Sequence, residues 1–119
     1  MIRRTPTATL CPYKKLFRSW TQLGQDIDGE ANNDYSGNSV SLSSDGTIVA
    51  IGATANDDNG TTSGNVRVYQ YSGGSWTQLG QDIDGEAAGD NSGISVSLSS
   101  NGTIVAIGAD LNDDTGTTS

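Results

Sequence analysis

Ser39-Val40-Ser41-Leu42 alternates polar and apolar residues, the two-residue period of a strand with one face covered. Ser43-Ser44-Asp45-Gly46 follows, a turn cluster in which Gly accepts positive φ and Asp bonds its own backbone. Thr47-Ile48-Val49-Ala50-Ile51 is apolar on both faces and predicts a strand buried on each side. Beyond a polar loop, Val66-Arg67-Val68-Tyr69-Gln70-Tyr71 predicts a third strand. Ser72-Gly73-Gly74-Ser75 turns the chain into a fourth, Trp76-Thr77-Gln78-Leu79. No segment carries a convincing 3.6-residue period. The expectation is an all-β unit, a four-stranded antiparallel meander.

The unit recurs. SWTQLGQDIDGEA stands at Ser19–Ala31 and again at Ser75–Ala87, and laying 19–63 on 75–119 gives 37 identities in 45 positions. Asn101-Gly102 replaces Asp45-Gly46 in the second copy, and both dipeptides favour hairpin turns. A four-stranded unit recurring every roughly 40–60 residues has the arithmetic of a β-propeller blade, and such sheets bury both faces only by stacking on neighbours. The domain expectation is therefore a basic non-repeat arm over 1–18, expected to be disordered, then a repeat over 19–74. A second repeat over 75–119 breaks off where the first continues with GNVRVYQY, giving about one and a half blades of a larger propeller.

Composition narrows the chemistry. There is no histidine, which excludes a His-based triad, a His general base and His-ligated metals. The single Cys11 excludes an intrachain disulfide and a four-Cys zinc site. Leu, Ile, Val and Phe make up 22 of 119 residues, low enough to raise disorder as a competitor, but they fall on strand positions. No apolar run approaches the roughly 18 residues of a membrane span, and no apolar run after Arg3-Arg4 makes a signal peptide. The net charge of -8 hides a split: Arg3, Arg4, Lys14, Lys15 and Arg18 lie in the first 18 residues, which hold no acid. The other 101 residues hold Arg67 and 14 acids, 1 - 14 = -13, a field that repels nucleic acid.

Five segments carry a family resemblance: Ser36-Gly37, Ser39-Val40, Asp45-Gly46, Val49-Ala50-Ile51-Gly52-Ala53 and Gly64-Asn65-Val66-Arg67-Val68-Tyr69. Together with Ser92-Gly93, Ser95-Val96 and Val105-Ala106-Ile107-Gly108-Ala109, they resemble the FG-GAP repeat of integrin alpha subunits. The chain departs from that family at three points. Ser36 or Ser92 stands for the Phe, and Thr54 or Asp110 for the Pro after Gly-Ala. The family's calcium loop between the first two strands has no room in Ser43-Ser44-Asp45-Gly46, so that site does not carry over. The resemblance implies a seven-bladed propeller serving recognition or adhesion outside the cell or at its surface.

Strand parity places the acids. In a four-strand meander the second-to-third connection and the exit to the next unit share one end. Those loops, 24–37, 54–64, 80–93 and 110–119, hold 13 of the 14 acids, leaving Asp45 at the other end. Three readings follow. The acids serve solubility; they bind calcium, which takes several oxygen ligands; or their field draws a cationic protein or an amino-sugar glycan. The calcium candidates are Asp26, Asp28, Glu30 and Asp34, with Asp57 and Asp58, and in the second copy Asp82, Asp84, Glu86 and Asp90, with Asp113 and Asp114. Their relative positions 1, 3, 5 and 9 match an EF-hand loop loosely, because Gly29 and Gly85 stand at position 4 rather than 6.

No acid pair has the unlike environments that glycosidase chemistry needs, so the chain is not expected to be an enzyme and no catalytic or cofactor residue is assigned. Trp20 and Trp76 occupy one repeat position and predict blade-to-blade packing rather than sugar stacking. Asn59-Gly60-Thr61 and Asn101-Gly102-Thr103 match the N-glycosylation pattern at inequivalent repeat positions, as turn composition produces by accident. The expected function is a non-catalytic recognition repeat. The alternatives are a calcium-binding structural repeat and a propeller accessory region of a secreted enzyme.

Overall fold

The computed structural model describes residues 9–16, 19–57 and 60–111. It is all-β and antiparallel, an open, partial propeller-type arrangement. The strands are β1 (Thr9–Leu10), β2 (Tyr13–Leu16), β3 (Ser19–Gln22), β4 (Ile27–Asp28), β5 (Ser36–Leu42) and β6 (Ile48–Ala53). After these come β7 (Asn65–Ser72), β8 (Ser75–Gln78), β9 (Ile83–Asp84), β10 (Ser92–Leu98) and β11 (Val105–Ala109). β5, β6, β7 and β8 pair in that order as the expected meander, and β9 continues the edge of β8 by pairing with the start of β7.

Each element follows from its residues. The central β6 carries Val49, Ala50, Ile51 and Ala53 buried, as its two-faced apolar sequence requires. β5 begins three residues earlier than the alternation predicts, because Gly37, at φ +90°, makes a bulge between Ser36 and Ser39. Gly93, at φ +91°, repeats that bulge between Ser92 and Ser95 in β10. Asp45 Oδ1 accepts from Ser43 Oγ at 3.0 Å, Thr47 N–H at 3.0 Å and Thr47 Oγ1 at 2.7 Å, which closes the β5–β6 turn. Asn101 does the same for Ser99 and Thr103, so the turn needs the oxygen and not the charge.

β10, the first strand of the β10–β11 hairpin, lies against β5, β6 and β7. Ser39 Oγ donates to Gly93 O at 2.7 Å, Leu98 N–H to Ser41 Oγ at 2.9 Å, and Ser44 N–H to Ser100 O at 2.9 Å. Gly52 is required at this approach, since a Cβ there would strike the Gly93 carbonyl. On the other side of the first unit lies the hydrophobic core. Ile27, Val49, Ile51 and Trp76 are buried together, with Leu10, Leu23, Tyr69 and Tyr71 packed around them.

The arm departs from expectation. Of residues 1–18, only 9–16 are described, and they hold two strands rather than disordered chain. β1 pairs with β4 (Thr9↔Asp28) and β2 with β3 (Tyr13↔Gln22). These registers are those of β7 with β9 (Asn65↔Asp84) and β7 with β8 (Tyr69↔Gln78), moved by 56 residues. Leu23 N–H donates to Pro12 O at 2.9 Å, as Leu79 N–H does to Val68 O at 2.7 Å. Residues 9–28 therefore have the form of the third and fourth strands of a preceding blade. The physical reason is the free inner edge of β3 and β4, whose backbone groups need partners.

Candidate acidic loop face

The loops that join strands at one end are tied to one another by backbone bonds. Gly85 N–H donates to Gly64 O, Gly89 N–H to Thr61 O, Asn91 N–H to Thr62 O and Ser92 N–H to Ser63 O, at 2.8 to 3.1 Å. Ala55 N–H reaches Asp34 O at 3.0 Å. The second-to-third connection and the exit loop thus meet at one end, while Asp45 sits in the turn at the other.

The acids of this end divide by the work their oxygens do. Asp34 is buried, and its Oδ2 accepts from Ala31 N–H at 3.2 Å and Asn56 Nδ2 at 3.0 Å. Asp90, 2 % exposed, repeats this with Ala87 N–H at 3.0 Å. Both hold the Gly-Glu-Ala bend before the next blade begins. Asp26 accepts from Gln22 Nε2 and Asp82 from Gln78 Nε2, each at 2.7 Å, which fixes the jog between β3 and β4 and between β8 and β9. Asp57 Oδ1 accepts from Thr62 N–H at 2.8 Å within its own loop.

Two buried asparagines link the carboxylates. Asn56 Nδ2 donates to Glu30 Oε1 at 2.9 Å and to Asp34. Asn65 Nδ2 donates to Glu30 Oε1 at 3.1 Å and to Asp82 Oδ2 at 3.4 Å, so acids of the two repeats converge on one amide. Asn65 Oδ1 is fully buried with no hydrogen-bond partner. The asparagines were missed in the sequence, although both are polar residues beside strands of buried character. Asp28, Glu30, Asp57, Asp84 and Glu86 are exposed. Among the described residues no group of three His, Cys, Asp or Glu is placed to hold a metal ion. Asp58, Asp113 and Asp114 lie outside the described residues.

Arg67, the base of the acidic body, is turned inward. It is 6 % exposed and donates to Asp28 O at 2.9 Å, Ser36 Oγ at 3.4 Å and Tyr69 Oη at 2.7 Å, with its guanidinium 5.4 Å from the Tyr69 ring centre. It clamps β4 and β5 to β7. Burial raises the Tyr69 hydroxyl above its usual range; Arg67 opposes this, and Asp82 and Glu30 reinforce it.

The two tryptophans differ. Trp76 is 5 % exposed, donates its Nε1–H to Leu23 O at 2.8 Å and lies 5.2 Å from the Tyr71 ring. Gln25 brackets it, accepting from Trp76 N–H and donating to Trp76 O, both at 3.1 Å. Trp76 is thus blade-to-blade packing, whereas Trp20 is 64 % exposed. None of the described residues lies in a helix that could cross a membrane.

No curated protein and no solved structure matches the chain. One family model does, over residues 26–69, from the acid before β4 to the middle of β7. That stretch contains the bulged β5, the buried β6 and the Arg67-bearing β7, and the family model it matches is that of the FG-GAP repeat.

Proposed function

We propose that this chain is a non-catalytic recognition module that works outside the cell or at its surface, with the end bearing the acidic loops as its binding face. FG-GAP repeats are structural repeats, and the resemblance to integrin alpha subunits favours adhesion. One observation carries the reading: Asp28 and Asp84, at the ends of β4 and β9, and Glu30, Asp57 and Glu86, in the loops of the same end, are exposed, and those loops are pinned to one another by backbone bonds. A preordered face of one sign loses little entropy on binding and draws a partner of the opposite sign. The partner class is a cationic protein segment or an amino-sugar glycan. Binding to polylysine and to chitosan oligomers, with heparin as the anionic control, tests it. The D28N/D84N/E86Q variant is expected to lose at least tenfold in affinity, and equal binding by wild type and variant would defeat the proposal.

A second reading, calcium, draws support from the orphaned Asn65 Oδ1 beside Glu30 and Asp82. A melting curve unchanged between chelator and millimolar calcium would remove it.

A further inference from the structure

The two hairpin turns differ by one functional group. Asp45-Gly46 closes β5–β6, and Asn101-Gly102 closes β10–β11 with an amide in place of the carboxylate. An Asn before Gly is able to cyclise, because a following residue without a Cβ lets its backbone nitrogen approach the side-chain carbonyl carbon. We propose that Asn101 is a site of non-enzymatic deamidation gated by its own turn, protected while the turn is closed and converted to Asp when it opens.

The reaction balances with water as the co-reactant. The Gly102 nitrogen gives its proton to solvent base and forms a bond to Asn101 Cγ. The Cγ–Nδ2 bond breaks and ammonia leaves, which closes a five-membered cyclic imide. Water then adds to one of the two imide carbonyls, and the C–N bond at that carbonyl breaks. Attack at Cγ restores the main chain and leaves Asp at 101. Attack at the main-chain carbonyl of residue 101 reroutes the chain through Cγ as isoaspartate. The sum is amide plus water to carboxylate plus ammonium.

Four hydrogen bonds oppose the first step in the closed turn. Gly102 N–H, the group that must lose its proton, donates to Ser99 O at 2.9 Å. Asn101 Oδ1 accepts from Ser99 Oγ at 3.0 Å, Thr103 N–H at 3.2 Å and Thr103 Oγ1 at 2.8 Å. Those three donors draw electron density from Cγ, which favours attack. Anchoring outweighs this, because attack requires Cγ within bonding distance of the nitrogen, and a side chain held at three points resists that movement. Ser99 is itself fixed: its N–H donates to Ile104 O at 2.8 Å, and Ile104 N–H donates to its Oγ at 3.0 Å. Yet Asn101 and Thr103 are exposed, so water reaches the site and the turn opens more readily than a buried strand.

The first unit shows that the turn accepts the product. Asp45 Oδ1 takes the same three donors from Ser43 and Thr47, and Gly46 N–H donates to Ser43 O at 3.0 Å. The bonds from Thr47 and Ser43 favour the ionised carboxylate, whose pKa lies below the usual 3.8. An aspartate at 101 therefore closes the turn again, and the net charge at pH 7 goes from -8 to -8 - 1 = -9. The added charge lies at the end away from the acidic loops. Isoaspartate does not fit, because its extra main-chain methylene lengthens the turn. That misfit reaches the first unit, since Ser100 O accepts from Ser44 N–H at 2.9 Å and from Ser44 Oγ at 3.0 Å.

Peptide mapping by mass spectrometry tests the proposal on the full chain in mildly alkaline buffer, folded and in guanidinium chloride. In denaturant, Asn101 and Asn59, which also precedes Gly, are expected to gain about one mass unit at rates within about twofold of each other. In the folded chain, Asn101 is expected to convert at least tenfold more slowly than in denaturant. The Ser99→Ala/Thr103→Ala variant keeps Asn101-Gly102 and removes two of the three donors to Oδ1. Its folded rate is expected to rise at least fivefold while its rate in denaturant stays the same. Gly102→Ala, compared in denaturant alone, is expected to slow conversion at least tenfold, as the imide route requires. Asn101→Asp is expected to keep the wild-type circular dichroism spectrum and melting temperature at pH 7. Equal rates in the folded and denatured chain would overturn the proposal, as would no conversion in denaturant. A double variant that folds natively yet converts no faster would also overturn it, and so would an Asn101→Asp chain that fails to fold. If the double variant loses its native spectrum, the wild-type comparison between folded and denatured chain still decides.

Discussion

At the scale of single residues, the repeat offers matched pairs whose sequence is the same and whose surroundings differ. Gly52 faces the Gly93 carbonyl, while the Cβ that Gly108 would carry meets mainly the movable Ser95 hydroxyl. Gly52→Ala is therefore expected to lower stability by about 1–3 kcal/mol, the usual cost of overpacking, and Gly108→Ala by less than about 1 kcal/mol. Urea midpoints of the two variants, compared as monomers, check the difference. Asp45 tests charge against shape. Its hydrogen bonds from Thr47 and Ser43 hold its pKa below the usual 3.8. A depressed carboxylate stabilises the fold above its unfolded value and loses that contribution as pH falls through the lower folded value. Asp45→Asn, which copies Asn101, should then be close to neutral at pH 7 and should flatten the loss of stability below about pH 4. Melting temperatures between pH 2 and 7 read this out.

Among the elements, β5 to β8 were legible because period-two alternation and turn chemistry agree at each boundary. The bulge was not, since Gly37 looks like any turn glycine until Gly52 and Gly93 are seen to approach. β4 and β9, each two residues long, carry no pattern that a window can detect. β1 and β2 were illegible for another reason. Against β7 they keep only Tyr13 at the place of Tyr69, with Leu10 for Val66, so the 56-residue offset shows in pairing and not in identity. At the loop face, the acids and their common end followed from strand parity. Which acids are structural did not, because that depends on Asn56, Asn65, Gln22 and Gln78, residues with no distinctive spacing. The Trp position predicted packing, but a fixed repeat position cannot tell an inner blade from an outer one. Trp76→Ala is accordingly expected to cost about 3–5 kcal/mol, the range for a buried aromatic. Trp20→Ala is expected to stay within about 0.5 kcal/mol in the monomer. Chemical denaturation at low protein concentration separates them.

For the whole molecule, the acidic end poses a balance between self-repulsion and bonding. An acid that accepts buried hydrogen bonds stabilises the loops, and one that projects into water adds repulsion with little return. Asp34 and Asp90 belong to the first kind, while the exposed Asp84 belongs to the second. The Asp84→Asn variant should therefore melt slightly higher than wild type at low salt, and the gap should close as salt screens the field. Asp34→Ala and Asp90→Ala should each lose about 1–3 kcal/mol at any salt, because the amides of Ala31 and Ala87, and Asn56 in the first copy, lose their acceptor. Melting temperatures across a salt series decide the matter. If the neutralised variant melts lower at every salt concentration, the exposed acids are doing structural work, as calcium ligands would, rather than presenting a bare charged face to a partner.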